Sequence, residues 1–414
     1  MKIAILGGGP SGSVAGALLA RRGHDVVIFD EDKRPDTIAG ESLVPGLIPI
    51  LRRLGIENLV SNIGIHKPGV TFYTRGLNEF AFSFTSLSEI YPKYSYNVPR
   101  PAFDRILQDC ATASGARKIH AKANVIATGD QLQLTRETTE KVESWKGVQP
   151  DLVVDATGRR RLSARLLGIR AAVGPRRDVA HFAHFEGFSA ETPSGQVRIN
   201  HLAHGWSWRI PLRGKMSFGI VMDPESMSRL GEDPPERLEA VIRSDPLISV
   251  ETSNTRRVSE VETYANYQLI STRGYGENWV AVGDAFGFVD PMLSPGMLIA
   301  MQSATILDEE LASQKPEEAL QRYSRRISHE LQTWMELIEY FYNGRIFELR
   351  DSGRAWLKRF PLLPLGFVEG FMSRNMAGMA SGFTTGSPIS RGVLRHANEF
   401  LLGKNVGISA HAII

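Results

Sequence analysis

Short apolar runs and glycine-rich turns alternate at the start of the chain. Ile3–Leu6 is apolar, a turn rich in glycine follows, Ser11–Arg22 has the small residues of a tightly packed helix, and Val26–Phe29 is apolar again. An apolar run of this length, bounded by turn residues, is typical of a buried strand. The pattern predicts a strand–turn–helix–strand unit and, with it, an α/β fold.

The middle of the chain has a different period. Residues 176–261 alternate between apolar and polar positions, which is typical of strands in a half-buried sheet. In that segment Trp206, Trp208 and Ile210 fall on one face of a predicted strand, which Pro211 is expected to end. We therefore expect a second sheet, inserted into the α/β unit.

Two other segments predict helices. Residues 223–244 are polar, with a helical character. Residues 317–347 repeat aromatic and aliphatic side chains at steps of three and four. Residues 360–383 are rich in Leu, Phe, Met and Gly and are broken by prolines. Four roles stay open for this last segment: packing onto the rest of the protein, a lid over the site, a docking site for an acyl-carrier partner, or an element that lies on a membrane surface.

Composition narrows the function only a little. The chain has 414 residues, more than one core usually holds, and a formal charge of +3 without a basic tract, so nucleic-acid binding is not expected. One cysteine, Cys110, excludes a disulfide framework, and no metal-ligand spacing is present. Neither a signal peptide nor a run of roughly 18 apolar residues is visible, which predicts a cytoplasmic protein without a transmembrane segment.

The glycine-rich turn predicts a nucleotide site. Gly7 permits the turn, Gly9 lets the backbone approach a pyrophosphate, and Gly12 lets the helix pack on the strand. Asp30, eighteen residues after Gly12, is placed to accept hydrogen bonds from ribose hydroxyls. The predicted nucleotide-binding residues here are Gly7, Gly9, Pro10, Ser11, Gly12 and Asp30.

Further segments resemble motifs of the glutathione-reductase-like FAD fold, in the branch shared by aromatic hydroxylases, geranylgeranyl reductases and flavin-dependent halogenases. They are residues 151–158 (DLVVDATG), residues 278–284 (NWVAVGD), the Gly40–Ser42 turn and the segment VPRPAFDRIL. The resemblance implies FAD as the cofactor. It adds, as residues near FAD, Glu41, Ser42, Arg100, Asp155, Gly158, Gly283, Asp284, Pro291 and Gly296.

No second glycine motif of this kind occurs. A pyridine nucleotide therefore visits the flavin transiently, or reduced flavin arrives from a separate flavin reductase; we expect the second.

Two motifs favour the halogenases within this branch. The segment from Trp206 to Pro211 (WSWRIP) is similar to their WxWxIP signature, and a related pattern occurs in geranylgeranyl reductases. The resemblance implies that Trp206, Trp208, Ile210 and Pro211 shape the wall beside the flavin. Lys67, in IHKPGVTF, resembles the active-site lysine. In the family a flavin hydroperoxide oxidises halide to hypohalous acid, which the lysine binds or converts to a haloamine.

The segment from Phe288 to Met297 looks like the halogenase loop in which a serine lies beside the flavin and halide, which implies a catalytic role for Ser294. Two departures matter. Leu293 stands where tryptophan halogenases have a glutamate, which favours phenol or pyrrole substrates, free or tethered to an acyl-carrier protein. Pro295 has no N–H to donate to chloride or bromide.

The expected architecture is α/β: a glutathione-reductase-like FAD-binding Rossmann domain, an interleaved β-sheet substrate domain and a C-terminal helical region. The expected boundaries are 1–60, 100–175 and 262–315 for the FAD domain, 61–99 and 176–261 for the sheet domain, and 316–414 for the helices. A flavin monooxygenase or a geranylgeranyl-reductase-like enzyme is the alternative function, and a flavoprotein with a decayed halide site is the third.

Overall fold

The computed structural model describes residues 1–73, 79–188, 195–251, 254–265, 268–312, 318–359 and 365–403 of the chain. Within these ranges the strands are β1 (Lys2–Leu6), β2 (Asp25–Phe29), β3 (Ile65–Lys67), β4 (Gly69–Tyr73), β5 (Glu79–Ser83), β6 (Ser95–Asn97), β7 (Arg117–Ile119), β8 (Val125–Thr128), β9 (Gln131–Leu134), β10 (Leu152–Asp155), β11 (Ala171–Val173), β12 (Val179–Glu186), β13 (Val197–Leu202), β14 (Gly205–Leu212), β15 (Lys215–Met222), β16 (Arg256–Arg257), β17 (Glu262–Ala265), β18 (Leu269–Ser271), β19 (Trp279–Ala281) and β20 (Gly287–Phe288).

The α-helices in the same ranges are α1 (Pro10–Arg21), α2 (Ile48–Leu54), α3 (Glu57–Ile63), α4 (Arg100–Ala113), α5 (Arg136–Glu140), α6 (Leu162–Leu166), α7 (Pro224–Ser228), α8 (Pro234–Ser244), α9 (Pro246–Glu251), α10 (Pro295–Leu311), α11 (Ala319–Tyr342), α12 (Arg345–Arg359), α13 (Leu365–Ala380) and α14 (Pro388–Leu402).

A parallel sheet forms the nucleotide-binding half and confirms the predicted α/β class. Its strand order is β19-β10-β1-β2-β7, and every neighbouring pair is parallel. The apolar residues of β1 and β2 are buried, because helices such as α1, which packs against α4 and α10, cover the sheet. The turns that follow β1, β10 and β19 meet at one edge, where ligands of such sheets bind.

The second sheet is mostly antiparallel and lies on the other side of that edge. Its order is β16-β12-β15-β14-β13-β4-β5, with β17 also paired to β12. One face lines the cavity described below, and the other face packs with α8 in a separate apolar cluster that includes Phe218, Ile220 and Leu238. Alternation along each strand thus divides cavity wall from core.

Two details differ from the sequence predictions. Pro211 does not end its strand, because β14 continues to Leu212 and Pro211 pairs with Met216 of β15. The pairing of β14 with β13 ends at Arg209, so the missing N–H of Pro211 leaves no gap in that ladder. The helix predicted over 317–347 is two helices, and Gly344 between them has a φ of 74°.

The C-terminal helices pack back onto the body of the protein. Met379, near the end of α13, belongs to the main core, and Ala377 packs with Phe84 and Leu87. This confirms packing for the end of the 360–383 segment, of which residues 360–364 lie outside the described ranges. None of the described helices is long and apolar enough to span a membrane.

Candidate active site

The glycine-rich turn is packed so tightly that only glycine fits at two positions. Gly7 has a φ of 105°, and a Cβ there would lie 2.6 Å from the carbonyl oxygen of Ala156. A Cβ on Gly12 would lie 1.9 Å from the carbonyl oxygen of Gly7. In contrast, Gly9 caps the N-terminus of α1 and a Cβ there would meet nothing within 4 Å. Open space in front of a helix N-terminus suits a pyrophosphate.

Two cavities border this turn. One, of about 460 Å³, is lined by Gly7 and Asp30, and the carboxylate of Asp30 accepts a hydrogen bond from the Gly8 N–H at 3.0 Å and pairs with Arg34. The other, of about 340 Å³, lies between the two sheets. Both are lined by Gly9, Ala156 and Gly158. Together they form a trough of the size that a dinucleotide cofactor such as FAD needs.

Most predicted residues line the 340 Å³ cavity, which we call the flavin cavity: Gly9, Pro10, Ser11, Glu41, Ser42, Arg100, Gly158, Trp206, Trp208, Ile210, Asp284, Pro291, Ser294 and Gly296. Gly12, Asp155, Pro211 and Gly283 line neither part of the trough. The carboxylate of Asp155 instead accepts hydrogen bonds from the backbone and hydroxyl groups of Thr157 and Ser163. Asp155 therefore shapes the turn before the trough rather than facing a ligand.

Asp284 is the acceptor that the cavity leaves open. Its carboxylate has no hydrogen-bond partner among the described residues, and burial raises its pKa, against the opposing effect of Arg159 and Arg100. Arg100 itself is tied to Asp104 at 3.1 Å and to the carbonyl of Ala39. An open carboxylate at the cavity wall fits a cofactor that carries hydroxyl groups.

Glu41 is held by two residues that the sequence analysis missed. Its Oε1 lies 2.7 Å from Nε2 of His184, and Nδ1 of His184 lies 3.0 Å from Nζ of Lys215. An ammonium can only donate, so Nζ of Lys215 donates to Nδ1 of His184. Nε2 of the same neutral imidazole then carries the proton and donates it to Glu41. His184 lies on β12 two residues after Phe182, a cavity-lining residue, so the alternation of that strand was a usable signal.

The tryptophan wall is fixed by hydrogen bonds on its outer side. The rings of Trp206 and Trp208 lie 5.7 Å apart at 45°. Trp206 Nε1 donates to the hydroxyl of Tyr342 at 2.9 Å, and Trp208 Nε1 donates to Ser217 at 3.3 Å. Both indole N–H groups are thereby satisfied, so the rings present apolar faces to the cavity.

Lys67 lies in a third, much smaller cavity of about 30 Å³. The aromatic residues that line it are Phe72, Phe82, Phe84 and Phe341, and Ala380 of α13 closes it. Ser42, Val197, Ile199, Leu293 and Ser294 line this Lys67 cavity and the flavin cavity alike. Only a shared wall therefore separates the lysine from the predicted flavin site.

Lys67 is 1% exposed, and its amine donates two hydrogen bonds. Nζ donates to Ser42 Oγ at 2.7 Å and to the carbonyl oxygen of Leu43 at 2.9 Å, and it lies 5.3 Å from the centre of the Phe84 ring. Burial lowers the pKa of Lys67 to about 7. A neutral amine has two N–H groups, both used here, and a lone pair that these bonds leave available.

The loop of residues 291–294, which we call the serine loop, lies between the flavin cavity and the Lys67 cavity and has an uncommon backbone conformation. Leu293 and Ser294 have φ values of 66° and 58°, which non-glycine residues rarely adopt. Ser294 caps α10, and Pro295 is the first residue of that helix. Proline is favoured there because that N–H has no partner within a helix, which explains Pro295 structurally. The described residues contain no cluster of His, Cys, Asp or Glu suited to a metal ion.

Sequence comparison agrees with this geometry. The family model for tryptophan halogenases matches residues 85–352, and a model for NAD(P)-binding Rossmann-like domains matches residues 5–38. Tryptophan 2-halogenase of Chondromyces crocatus is 28% identical over 74% of this chain and 60% of its own length. A 1H-pyrrole-2-carbonyl-[peptidyl-carrier protein] chlorinase of Pseudomonas fluorescens is 23% identical over 83% of this chain and 84% of its own length. The chain spans about three fifths of the first of these relatives and of two fungal flavin-dependent halogenases.

Solved structures share the fold. The flavin-dependent brominase Bmp2 superimposes with a TM-score of 0.77 at 22% identity, covering 97% of this chain and 100% of Bmp2. CmlS, a flavin-dependent halogenase, gives 0.73 at 26% identity, covering 82% of this chain and 64% of CmlS. With a family match over most of its length, a trough that suits FAD and a buried lysine behind the flavin cavity, the chain belongs to the tryptophan halogenase family of FAD-dependent proteins.

Proposed function

We propose that the chain halogenates an electron-rich aromatic ring, using reduced FAD, molecular oxygen and chloride or bromide. FAD, when bound in the trough, supplies the oxidising chemistry that converts halide to hypohalous acid. The apolar faces of Trp206, Trp208 and Ile210 exclude water from that chemistry, and Pro211 supports the same strand. The remaining steps fall to groups on either side of the shared wall.

The position of Lys67 carries this proposal. Its amine is buried in an aromatic cavity and is separated from the flavin cavity by residues that line both. A buried lysine without an ion partner is costly, so a purely structural role would favour an apolar residue instead. A hydroxylase or a reductase has no use for this amine.

Lys67 acts on hypohalous acid in one of two ways. As a neutral amine it takes the halogen through its lone pair, with loss of one N–H proton and release of water, and then gives the halogen to the ring carbon, which loses a proton. Alternatively it donates a hydrogen bond that polarises the acid while the ring attacks. Ser294, with its hydroxyl at the shared wall, orients halide or the acid in both cases.

We propose a phenol or pyrrole as the substrate, free or tethered to a carrier protein. Leu293 lines both cavities where a carboxylate would be needed for the tryptophan type. Two relatives are named as pyrrole halogenases that act on peptidyl-carrier proteins. A separate flavin reductase supplies reduced FAD, since the sequence has a single glycine motif of the dinucleotide type.

A flavin monooxygenase is the second candidate, and Pro295 is the observation that favours it. The loop that would bind halide begins a helix with a residue that cannot donate an N–H, so one donor for the anion is missing. Weak halide binding would leave an oxygen transfer to the ring as the competing outcome.

The test compares Lys67→Met with Lys93→Met, a matched change at a partly exposed lysine that pairs with Glu89. Each protein receives anaerobically reduced FAD, then oxygen, bromide and phenol. We expect Lys67→Met to lower bromophenol by about 10²–10⁴-fold, the range for a side chain that takes part in bond making. Flavin oxidation, followed by absorbance, should stay within about twofold, and Lys93→Met should match the wild type.

Hydroxylated phenol from the wild type, unaffected by bromide, would establish the monooxygenase instead. Full bromination by Lys67→Met would remove the lysine from the mechanism.

A further inference from the structure

Tyr342, the last residue of α11, joins the tryptophan wall to the serine loop. Its hydroxyl accepts a hydrogen bond from Trp206 Nε1 at 2.9 Å and donates one to Oδ1 of Asp290, also at 2.9 Å. A phenol has one O–H and free lone pairs, so both bonds form at once. The guanidinium carbon of Arg176 lies 3.5 Å from the centre of the ring and holds its other side.

Asp290 connects Tyr342 to the serine loop by hydrogen bonds. It is fully buried, and its Oδ1 also accepts a hydrogen bond from the Met292 N–H at 2.8 Å. Leu293 and Ser294, which follow directly, have the left-handed backbone described above. Such a conformation persists only where its surroundings hold it, and the bond from Tyr342 to Asp290 is part of that hold.

The neighbouring residue, Phe341, faces the Lys67 cavity. Its ring packs against Phe72, with centroids 5.3 Å apart, and it lines the cavity together with Lys67. A cavity of about 30 Å³ holds one or two water molecules and no aromatic ring. A substrate ring can therefore reach Lys67 only when lining side chains such as Phe341 move.

We propose that the last turn of α11 couples the two cavities, so that a ring entering beside Lys67 displaces Phe341 and, through Tyr342, resets Trp206 and the serine loop. Tyr342 is a positioning residue in this scheme and touches neither substrate nor cofactor. The proposal takes its ligand, an aromatic ring, from the proposed function. Its consequence is thermodynamic: the ring and FAD must change each other's affinity by the same factor.

The experiment measures the FAD dissociation constant by flavin fluorescence, with and without excess phenol, and needs no turnover. The variant is Tyr342→Phe, which keeps the ring and removes both hydrogen bonds. The matched control is Tyr340→Phe, the same change two residues earlier on α11, at a side chain that lines a different cavity. We expect phenol to change the wild-type constant by about fivefold or more, the lower end of ordinary coupling.

In Tyr342→Phe the ratio of the two constants should fall close to one, while Tyr340→Phe should keep the wild-type ratio. Trp206→Phe, which removes the other end of the same bond, should also lower the ratio and serves if Tyr342→Phe folds poorly. The proposal is overturned if phenol leaves the wild-type constant unchanged, if Tyr342→Phe keeps the ratio, or if Tyr340→Phe loses it equally.

A product assay on the same samples separates the two proposals. If phenol changes the FAD dissociation constant of the wild type but no bromophenol forms, the coupling proposal stands and the halogenase proposal fails. If bromophenol forms but phenol leaves the constant unchanged, the halogenase proposal stands and the coupling proposal fails.

Discussion

The flavin cavity and the Lys67 cavity share a wall but are built in opposite ways. The flavin cavity has about 340 Å³ of space at the edge of a parallel sheet, where backbone turns after β1, β10 and β19 converge. The Lys67 cavity has about 30 Å³, closed by side chains from β3, β4, α11 and α13. The flavin cavity is wide, whereas side chains fill most of the space beside Lys67.

The difference follows from what closes each space. Backbone turns are held by hydrogen bonds and by glycines that tolerate no Cβ, so the backbone defines the phosphate end of the flavin cavity. Aromatic side chains can change rotamer while the backbone ladders stay intact, so the space beside Lys67 depends on the positions of side chains such as Phe341.

The largest effect is expected for FAD binding when Gly12, which packs behind the phosphate turn, is changed. In Gly12→Ala the new Cβ would lie 1.9 Å from the Gly7 carbonyl oxygen, so the phosphate turn must shift. We expect FAD affinity to fall by about 10²-fold, the loss for one or two hydrogen bonds from backbone N–H groups to a charged pyrophosphate. Gly392→Ala in α14, where a Cβ meets nothing within 4 Å, should bind FAD normally and gain up to about 1 kcal/mol of stability. Isothermal titration measures the FAD affinity of both variants, and thermal melting measures their stability. Unchanged FAD binding by Gly12→Ala would mean that the turn adapts to the new Cβ.

The rate of bromination should depend on pH through Lys67. Burial lowers the pKa of Lys67 to about 7, so the neutral amine dominates above that pH and the ammonium below it. If the lone pair takes the halogen, bromination in single turnovers should fall by about tenfold per pH unit below 7 and level off above it. A rate that instead falls above pH 7 would assign the ammonium as a hydrogen-bond donor.

Stability gives an independent check on the same group. The folded-state pKa lies below the ordinary value of 10.5, so between about pH 7 and 10.5 the unfolded chain binds more protons. The contribution of Lys67 to the free energy of unfolding therefore rises with pH across that window. Urea denaturation at several pH values should show this rise in the wild type and lose it in Lys67→Met; equal slopes would contradict the lowered pKa.

The shared wall should respond most weakly. Pro295→Ala restores one N–H at the start of α10, beside Ser294, and a hydrogen bond of about 1 kcal/mol would lower the bromide KM about fivefold. Pro388→Ala is the same change at the start of α14 and controls for the effect of losing a proline on stability. It should leave the bromide KM unchanged. No change in KM for Pro295→Ala would place halide away from this helix.

The sequence by itself determined the features that depend on neighbours along the chain. The glycine turn, Asp30, and the single face shared by Trp206, Trp208 and Ile210 follow from local spacing, and the structure places all of them except Gly12 on the trough. The family resemblance pointed to Lys67 and Ser294; Ser294 lies in the shared wall, and Lys67 lies in the cavity behind that wall. The role of Pro211 at a strand end was wrong, because strand length depends on the partner strands.

Only the tertiary structure decided what joins distant residues. His184 reaches Glu41 across 143 residues of sequence, and Tyr342 reaches Trp206 across 136. Asp155, predicted beside FAD, has its carboxylate taken by Thr157 and Ser163, which spacing alone does not reveal. Side-chain hydrogen bonds and the closure of a cavity depend on how the sheets and helices dock, and period and composition carry no information about docking. The separation of a wide flavin cavity from a narrow Lys67 cavity is therefore a property of the folded chain.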